Sequence, residues 1–377
     1  MNQVAYQQRV VDRTGIGVLF DVLQEEGYTI VGPTVGDHAI VYDEIGDVGQ
    51  LPVGWTDEQE GGRYELRRRD DDALFGYVVG QQSWKKFLFP PETTLLEARR
   101  ENGSLRFVQG ENPQVRYAML GVRACELAAI AIQDRVFTGS GEVDRTYDTA
   151  RRNALTIAVN CTVAGGTCFC VSMKTGPRCT SGYDLVITEI IDSERHEFVF
   201  EAGTEAGEEI LGKLPHRPAD DSHASAVDRL MEATSSNMGR SMDTEGIKDL
   251  LYANPEHPRW DEVAARCLSC TNCTLVCPTC FCSTTVDSVT LDGTTATRSR
   301  RWDSCFTLDF STLHGIPVRD STTSRYRQWM THKLASWYDQ FGSSGCVGCG
   351  RCITWCPVGI DITEEVAAIR ATEGPTT

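Results

Sequence analysis

The sequence predicts an α/β domain over residues 1–215, followed by a mainly helical domain over residues 216–377. Three observations support this division. A strand–helix–strand pattern runs from residue 116 to 160, a segment rich in Pro, Ser, Asp and His spans 213–226, and helical patterns predominate after it. With 377 residues, the chain is long enough for two domains that each bury a core.

The α/β domain opens with residues 10–26, whose apolar residues recur at helical spacing and predict a surface helix. Short β-like runs follow. Further along, residues 116–121 and 155–160 read as buried strands, with a helix from Cys125 between them. Such a unit places its two strands parallel. Cys125 and Cys161 are therefore expected at one sheet edge, where open α/β sheets bind ligands.

Composition and charge exclude several classes of function. A net charge of -17 argues against nucleic-acid binding. The acidic surface is either a solvated face or a steering surface for a basic partner. The N-terminus lacks a signal pattern and no apolar stretch reaches the roughly 18 residues of a membrane span, so a cytoplasmic location is expected. In that reducing compartment, the sixteen cysteines are expected to bind metals instead of pairing as disulfides.

Two cysteine runs in the last third of the chain share the template C-x2-C-x2-C-x3-C-P, at residues 267–278 and 346–357. In this template, three thiolates bind one 4Fe-4S cluster and the fourth binds the other. The second domain is therefore expected to be a helical, two-cluster ferredoxin-like domain. The predicted ligands are Cys267, Cys270, Cys273 and Cys356 for the first cluster, and Cys346, Cys349, Cys352 and Cys277 for the second.

Structural zinc is the alternative for these runs, but a tetrahedral zinc site would use two C-x2-C pairs, and each run has four cysteines in a ferredoxin rhythm. Between the runs lie Cys280, Cys282 and Cys305, whose spacing supplies no fourth ligand. Three interpretations of these thiols stay open. They are redox-active thiols, ligands of a further metal, or small buried residues beside a cluster.

A third 4Fe-4S site is predicted in the first domain. Cys168 and Cys170 follow Cys161 in a loop that contains paired glycines, and Cys125 arrives from the neighbouring strand, which gives four thiols. Paired glycines would let the backbone pass close to a bulky inorganic core. Cys179 is an alternative ligand in place of Cys168 or Cys170.

Several sequence segments, some within the two cysteine runs and some outside them, resemble those of one family. This family is the iron-sulfur β subunits of soluble NAD(P)-linked NiFe hydrogenases (sulfhydrogenases). The A subunit of anaerobic sulfite reductase is similar as well. The strings are K-K-F-L-F-P-P-E-T at 85–93, G-V-R-A-C-E-L at 121–127, G-G-T-C-F-C at 165–170 and the extended runs at 266–282 and 346–362. The family commonly has G-V-R-P-C where this chain has Ala124 before Cys125, which keeps the ligand but alters its loop.

The resemblance implies an electron-transfer subunit without a catalytic residue of its own. It would relay electrons between a flavin subunit that handles NAD(P)H and a partner with the substrate site. That partner is either the small and large hydrogenase subunits or a sulfite reductase subunit. The sequence has no nickel-binding cysteine pair outside the runs and no G-x-G-x-x-G after a strand, so FAD, NAD(P) and NiFe are expected on partner subunits. A redox sensor and an enzyme that uses Cys280, Cys282 or Cys305 are the alternatives of other classes.

Overall fold

The fold is described from a computed structural model, which covers residues 7–78, 80–101, 103–110, 115–139, 141–193 and 195–372. The strands are β1 (Arg9–Asp12), β2 (Thr29–Gly36), β3 (Ala39–Glu44), β4 (Trp55–Glu60), β5 (Arg63–Arg68), β6 (Glu92–Glu101), β7 (Ser104–Gln109), β8 (Tyr117–Val122), β9 (Leu155–Val159), β10 (Leu185–Ile191), β11 (His196–Ala202), β12 (Arg217–Pro218), β13 (Ser283–Val289), β14 (Thr295–Trp302), β15 (Thr312–Leu313) and β16 (Ile316–Pro317). The helices are α1 (Arg13–Glu25), α2 (Lys85–Leu88), α3 (Ala124–Thr138), α4 (Arg145–Asn153), α5 (Glu205–Gly212), α6 (Asp221–Ser236), α7 (Ile247–Ala253), α8 (Arg259–Ala264), α9 (Asn272–Leu275), α10 (Thr322–Thr331), α11 (Trp337–Phe341), α12 (Arg351–Thr354) and α13 (Ile362–Thr372). Two 3-10 turns, Val48–Gln50 and Leu308–Ser311, and one π-helical turn, His332–Ser336, complete the described elements.

The main sheet has eight strands in the order β12-β1-β11-β10-β9-β8-β2-β3. Its centre is parallel, because β2 pairs with β8, β8 with β9 and β9 with β10 in parallel registers. Every residue of β9 is buried, as is typical of central strands that are covered on both faces. The strand–helix–strand unit predicted from the sequence is thus confirmed as β8, α3 and β9.

The first predicted helix is confirmed as α1. It begins after Asp12, whose side chain accepts a hydrogen bond from the backbone amide of Gly15 and so satisfies one of the free amides at the helix start. Ile16, Leu19 and Leu23 are fully buried on one face and pack into the core of the main sheet.

A second sheet, in the order β13-β14-β6-β7, combines strands from both sides of the expected boundary at residues 215/216. The sequence pattern does not predict its hairpin, β13–β14. Five of the seven residues of β13 are exposed, so the strand lacks the apolar alternation that marks a half-buried strand. Helix α6, beyond the boundary, packs its Val227 and Met231 against β1, β10 and β11 of the main sheet. The division at 215/216 stays a prediction.

Helices α7, α8, α10 and α13, together with the π-helical turn, surround a second core that contains Trp260, Tyr326, Trp329 and Leu334. The region around the cysteine runs is therefore mainly helical, whereas the region before it is rich in sheet. The helical patterns that the sequence shows at 244–252 and from residue 261 correspond to α7 and α8. Among the residues that the structure covers, no helix is both long and apolar enough to cross a membrane.

A buried ion pair joins the two regions. Arg351 Nη2 donates to Glu126 Oε1 over 2.5 Å, and both side chains are 1% exposed. Glu126 Oε2 also accepts from the Tyr42 hydroxyl at 2.9 Å and the Trp84 indole at 3.0 Å. Buried charges are tolerated when they are paired and hydrogen-bonded, and removal of one partner leaves the other stranded.

We therefore expect Glu126→Gln to destabilise the protein by about 3–5 kcal/mol, because the substitution leaves the Arg351 guanidinium buried without a counter-charge. The measurement is the midpoint of anoxic thermal unfolding, with iron content determined in parallel. The double variant Glu126→Gln/Arg351→Met should recover part of the loss. As a control, Arg298→Met removes an exposed ion pair with Asp287 and should leave the midpoint nearly unchanged. Equal midpoints for Glu126→Gln and this control would contradict the argument.

Candidate metal centres

The two cysteine runs fold in the same way. In each run, the residues two and four positions after the first cysteine have left-handed backbone dihedrals, and these are Ser269 (φ 50°), Thr271 (φ 70°), Gly348 (φ 66°) and Gly350 (φ 73°). The amide two positions after the first cysteine donates to its sulfur, from Ser269 to Cys267 and from Gly348 to Cys346, both over 3.4 Å. Hydrogen bonds of this kind stabilise negative charge on ligand sulfurs.

The first thiol set comprises Cys267, Cys270, Cys273 and Cys356, which line one cavity together with aromatic side chains. Three of these cysteines come from the first run and one from the second. Burial is the main cause of the raised pKa of Cys267 and Cys273, and neighbouring thiols of the set contribute to it. Cys270 is exposed to solvent. The structure therefore brings together the four predicted ligands of the first cluster, at the protein surface.

The second thiol set comprises Cys346, Cys349, Cys352 and Cys277. Burial raises the pKa of Cys352 well above its ordinary value, and the other three thiols of the set add to the shift, which shows that they are its neighbours. Burial also raises the pKa of Cys346 to about 12. The second set thus has the predicted composition, with Cys277 contributed by the first run.

Cys277 differs from its neighbours. Its pKa lies well below the ordinary value, chiefly because the Cys280 thiol donates to its sulfur and because the Lys333 ammonium is adjacent. Lys333 Nζ is 3.1 Å from Cys277 Sγ. Burial disfavours the charge on Lys333, but nearby thiolates, with Cys277 foremost, hold the pKa of this lysine well above its ordinary value. The Cys280 thiol and the Lys333 ammonium therefore both favour the charged form of Cys277, the form that binds iron.

The third thiol set comprises Cys125, Cys161, Cys168 and Cys170, which line one cavity with Cys349 of the second set. Burial raises the pKa of all four thiols, that of Cys168 to about 12. The Arg123 guanidinium lies against Cys161 and opposes the shift of that thiol. Two buried guanidinium atoms near these thiols, Arg123 Nε and Arg351 Nη1, lack a hydrogen-bond partner in the described structure.

The loop of the third set packs directly on the second run. Phe169 N donates to Gly348 O over 2.8 Å. A Cβ atom at Gly350 would lie 2.4 Å from Thr167 O, and one at Gly348 would lie 2.6 Å from Phe169 O. Both positions need glycine for this close approach and for their left-handed dihedrals.

Close packing against a neighbouring strand is a second reason for glycine in the third-set loop, besides room for an inorganic core. A Cβ atom at Gly166 would lie 2.1 Å from the carbonyl oxygen of Gln59, in strand β4. The loop therefore also needs glycine because it passes close to a neighbouring strand.

The remaining cysteines lie beside these sets. Cys179 donates its backbone amide to Asn160 Oδ1 and lines a neighbouring cleft instead of the third cavity. The Cys282 and Cys305 thiols hydrogen-bond to each other, and Cys280 hydrogen-bonds to Cys277. The three interpretations of Cys280, Cys282 and Cys305 stay open.

Four thiolates around one cavity are the donor set of a 4Fe-4S cluster. The two runs together supply eight thiols, enough for two such donor sets. Within the described ranges, no group of three or more His, Cys, Asp or Glu side chains is arranged to hold a single metal ion. A cubane of four irons is wider than one ion, and its ligands lie correspondingly farther apart. The residues present therefore fit 4Fe-4S clusters.

The cysteine spacing did not indicate the basic residues among the thiols, namely Lys85, Arg123, Lys333 and Arg351. Three of them, Lys85, Arg123 and Arg351, fall within strings that carry the family resemblance, so a signal for them was present. Lys333 had only the weaker signal of a cation among apolar residues that recur at helical spacing.

Comparison with known proteins agrees with this geometry. Residues 266–360 match the 4Fe-4S dicluster domain family. Over 321 residues, the chain is 27% identical to Sulfhydrogenase 2 subunit beta of Pyrococcus furiosus, a match that covers 82% of this chain and 89% of that protein. No solved structure matches the chain. The resemblance inferred from the sequence is therefore confirmed, since residues 266–360 match the 4Fe-4S dicluster domain and the chain is similar to a sulfhydrogenase β subunit.

Proposed function

We propose that this chain relays electrons between a flavin subunit that reacts with NAD(P)H and the small and large subunits of a NiFe hydrogenase, within a cytoplasmic complex. The observation that carries the proposal is the contact between successive thiol sets. Cys349 of the second set lines the cavity of the third, and Cys352 of the second set lines the cavity of the first. The three sets therefore form a continuous series.

Each 4Fe-4S cluster supplies one-electron transfer when it is bound. The chain contributes the sulfur ligands, their spacing and the exclusion of water around them. Cys125 and Cys168 of the third set are buried, as are Cys277 and Cys346 of the second, whereas Cys270 of the first set is exposed. The first set is thus the point where a partner comes closest to the series.

The choice of terminal partner rests on the relative named above, which is a sulfhydrogenase subunit. A sulfite reductase subunit is the second candidate, on the sequence resemblance alone. A redox sensor needs one cluster, and a series of three thiol sets in contact favours transfer over sensing. The division of cofactors, with FAD, NAD(P) and NiFe on partner subunits, belongs to this proposal.

The number of clusters can be counted. Anoxic purification with neighbouring subunits attached, followed by separation of this chain, should give about twelve irons and twelve acid-labile sulfides if all three thiol sets bind a cluster. Cys161→Ser should remove about four irons, whereas Cys179→Ser should remove none. About eight irons in the unaltered chain would reject the third site and leave the other two.

Crossed ligation has a distinct signature. Cys356→Ser should abolish the same electron paramagnetic resonance signal as Cys267→Ser, although Cys356 belongs to the other run, because both thiols line the first cavity. Cys277→Ser should instead match Cys346→Ser. If Cys356→Ser matched Cys346→Ser, each run would hold its own cluster and the assignment would be wrong.

Electron relay predicts that NAD(P)H reduces the clusters rapidly only when the flavin subunit is present, which stopped-flow absorbance measures. Nickel in the complex supports the hydrogenase partner, and siroheme supports the sulfite reductase partner. The triple variant Cys280→Ser/Cys282→Ser/Cys305→Ser separates relay from a thiol-based enzyme, because relay alone leaves the reduction rate unchanged. Clusters that no flavin partner can reduce would refute relay.

A further inference from the structure

Lys333 is a buried cation beside the second thiol set. Its side chain is nearly inaccessible, with 5% exposure. Its ammonium group lies 3.1 Å from Cys277 Sγ and 3.5 Å from Cys280 Sγ, with Thr279 Oγ1 at 3.2 Å and Gly345 O at 3.3 Å. Among the residues described, every hydrogen bond of this ammonium goes to sulfur or to a neutral oxygen. In the part of the chain that the structure describes, these hydrogen bonds reach no carboxylate, so the negative charge that this ammonium meets directly is that of the sulfur atoms.

The position of this ammonium is fixed by the fold. Lys333 lies in the π-helical turn His332–Ser336, and such turns occur frequently at functional sites. Its carbonyl oxygen accepts a hydrogen bond from Gly345 N over 2.7 Å, directly before the second run begins at Cys346. The same turn thus holds the backbone of the second run and directs the lysine side chain to the ligand that the first run contributes.

Two comparisons within the molecule show what is particular to Lys333. Lys85 is also buried, with 4% exposure, but its ammonium donates to the carbonyl oxygens of Leu275, Cys277 and Cys280 and makes no hydrogen bond to sulfur within the described structure. The residues that line the first cavity, all of them within the described ranges, include no basic side chain. Direct contact between an ammonium and a predicted ligand sulfur is thus a feature of the second set.

We propose that Lys333 raises the reduction potential of the cluster held by the second thiol set, by a charge-assisted hydrogen bond to Cys277 Sγ. Reduction adds one electron to the cluster, and a fixed positive charge at a ligand sulfur in a low-dielectric interior stabilises the added negative charge. Lys333 keeps its proton and exchanges no electron. The inference rests on the proposed function only in that it requires the clusters to be bound.

The test is a potentiometric titration of the purified, cluster-loaded chain with dithionite as reductant, followed by electron paramagnetic resonance. The signal of the second set is identified by its loss in Cys346→Ser. In Lys333→Met, whose side chain is one atom shorter and carries no charge, the reduced-to-oxidised ratio of this cluster at a fixed potential should fall about tenfold. That change equals a shift of about 59 mV to more negative potential for one electron. The signal of the first set should move much less.

Matched variants distinguish the effect of the sulfur contact on the reduction potential from the effects of charge burial and of cluster assembly. Lys85→Met removes an equally buried charge that faces peptide oxygens, so its shift should be clearly smaller. Lys333→Arg keeps the charge and should stay near the unaltered protein, whereas Lys333→Gln should follow Lys333→Met. If Lys333→Met did not assemble, Lys333→Gln would provide the measurement.

Three results would overturn the inference. These are an unchanged potential in both neutral variants, an equal shift in Lys85→Met, and loss of the second cluster in both neutral variants, which would make Lys333 an assembly residue. None of these results bears on the proposed relay, because the relay is tested separately by the iron content and by reduction through the flavin partner. Absence of iron from the unaltered chain would instead refute the relay itself.

Discussion

The buried ion pair between Arg351 and Glu126 is the interaction on which the arrangement of the thiol sets depends. Glu126 follows Cys125 of the third set, and Arg351 lies between Cys349 and Cys352 of the second. The pair therefore fixes helix α3 of the sheet-rich region against the second cysteine run. Loss of either partner would leave the other charge buried without compensation, which is strongly destabilising. The chain consequently behaves as one unit at this point, despite the two regions recognisable in the sequence.

The distribution of charge reinforces this arrangement. The chain has a net charge of -17, yet the basic groups near the thiols are buried. Arg123 contacts Cys161 of the third set, Arg351 lies near Cys125 and Cys349, and Lys333 contacts Cys277 of the second set. Sets of four thiolates accumulate negative charge in a medium where charge is poorly screened, and these cations offset it. The first set is partly exposed at Cys270, so water contributes to the screening there.

Local patterns predicted most of this site, and tertiary packing accounts for what they missed. The cysteine runs were recognisable because three ligands of each cluster lie within seven residues, and β8 and β9 because central strands are almost wholly apolar. The β13–β14 hairpin was not predictable, since its stability comes from pairing with β6, nearly two hundred residues earlier. Lys333 was missed for the same reason. Its burial beside Cys277 depends on the way the π-helical turn packs on the first run, which no local spacing encodes.

A relay needs two ends that partners can approach, and the structure offers a different kind of surface at each. At the first set, Cys270 is exposed and Leu268 beside it is 64% exposed, so a ligand and an apolar side chain face solvent together. At the third set, Cys125, Cys168 and Cys170 are buried and Cys161 is partly exposed, and Pro177 lines both their cavity and an open cleft of about 450 Å³. Pro177 would therefore contact both a partner seated in that cleft and the cavity of the third set. Cys352 lines the first cavity and Cys349 lines the third, so the two ends reach the second set through different cysteines.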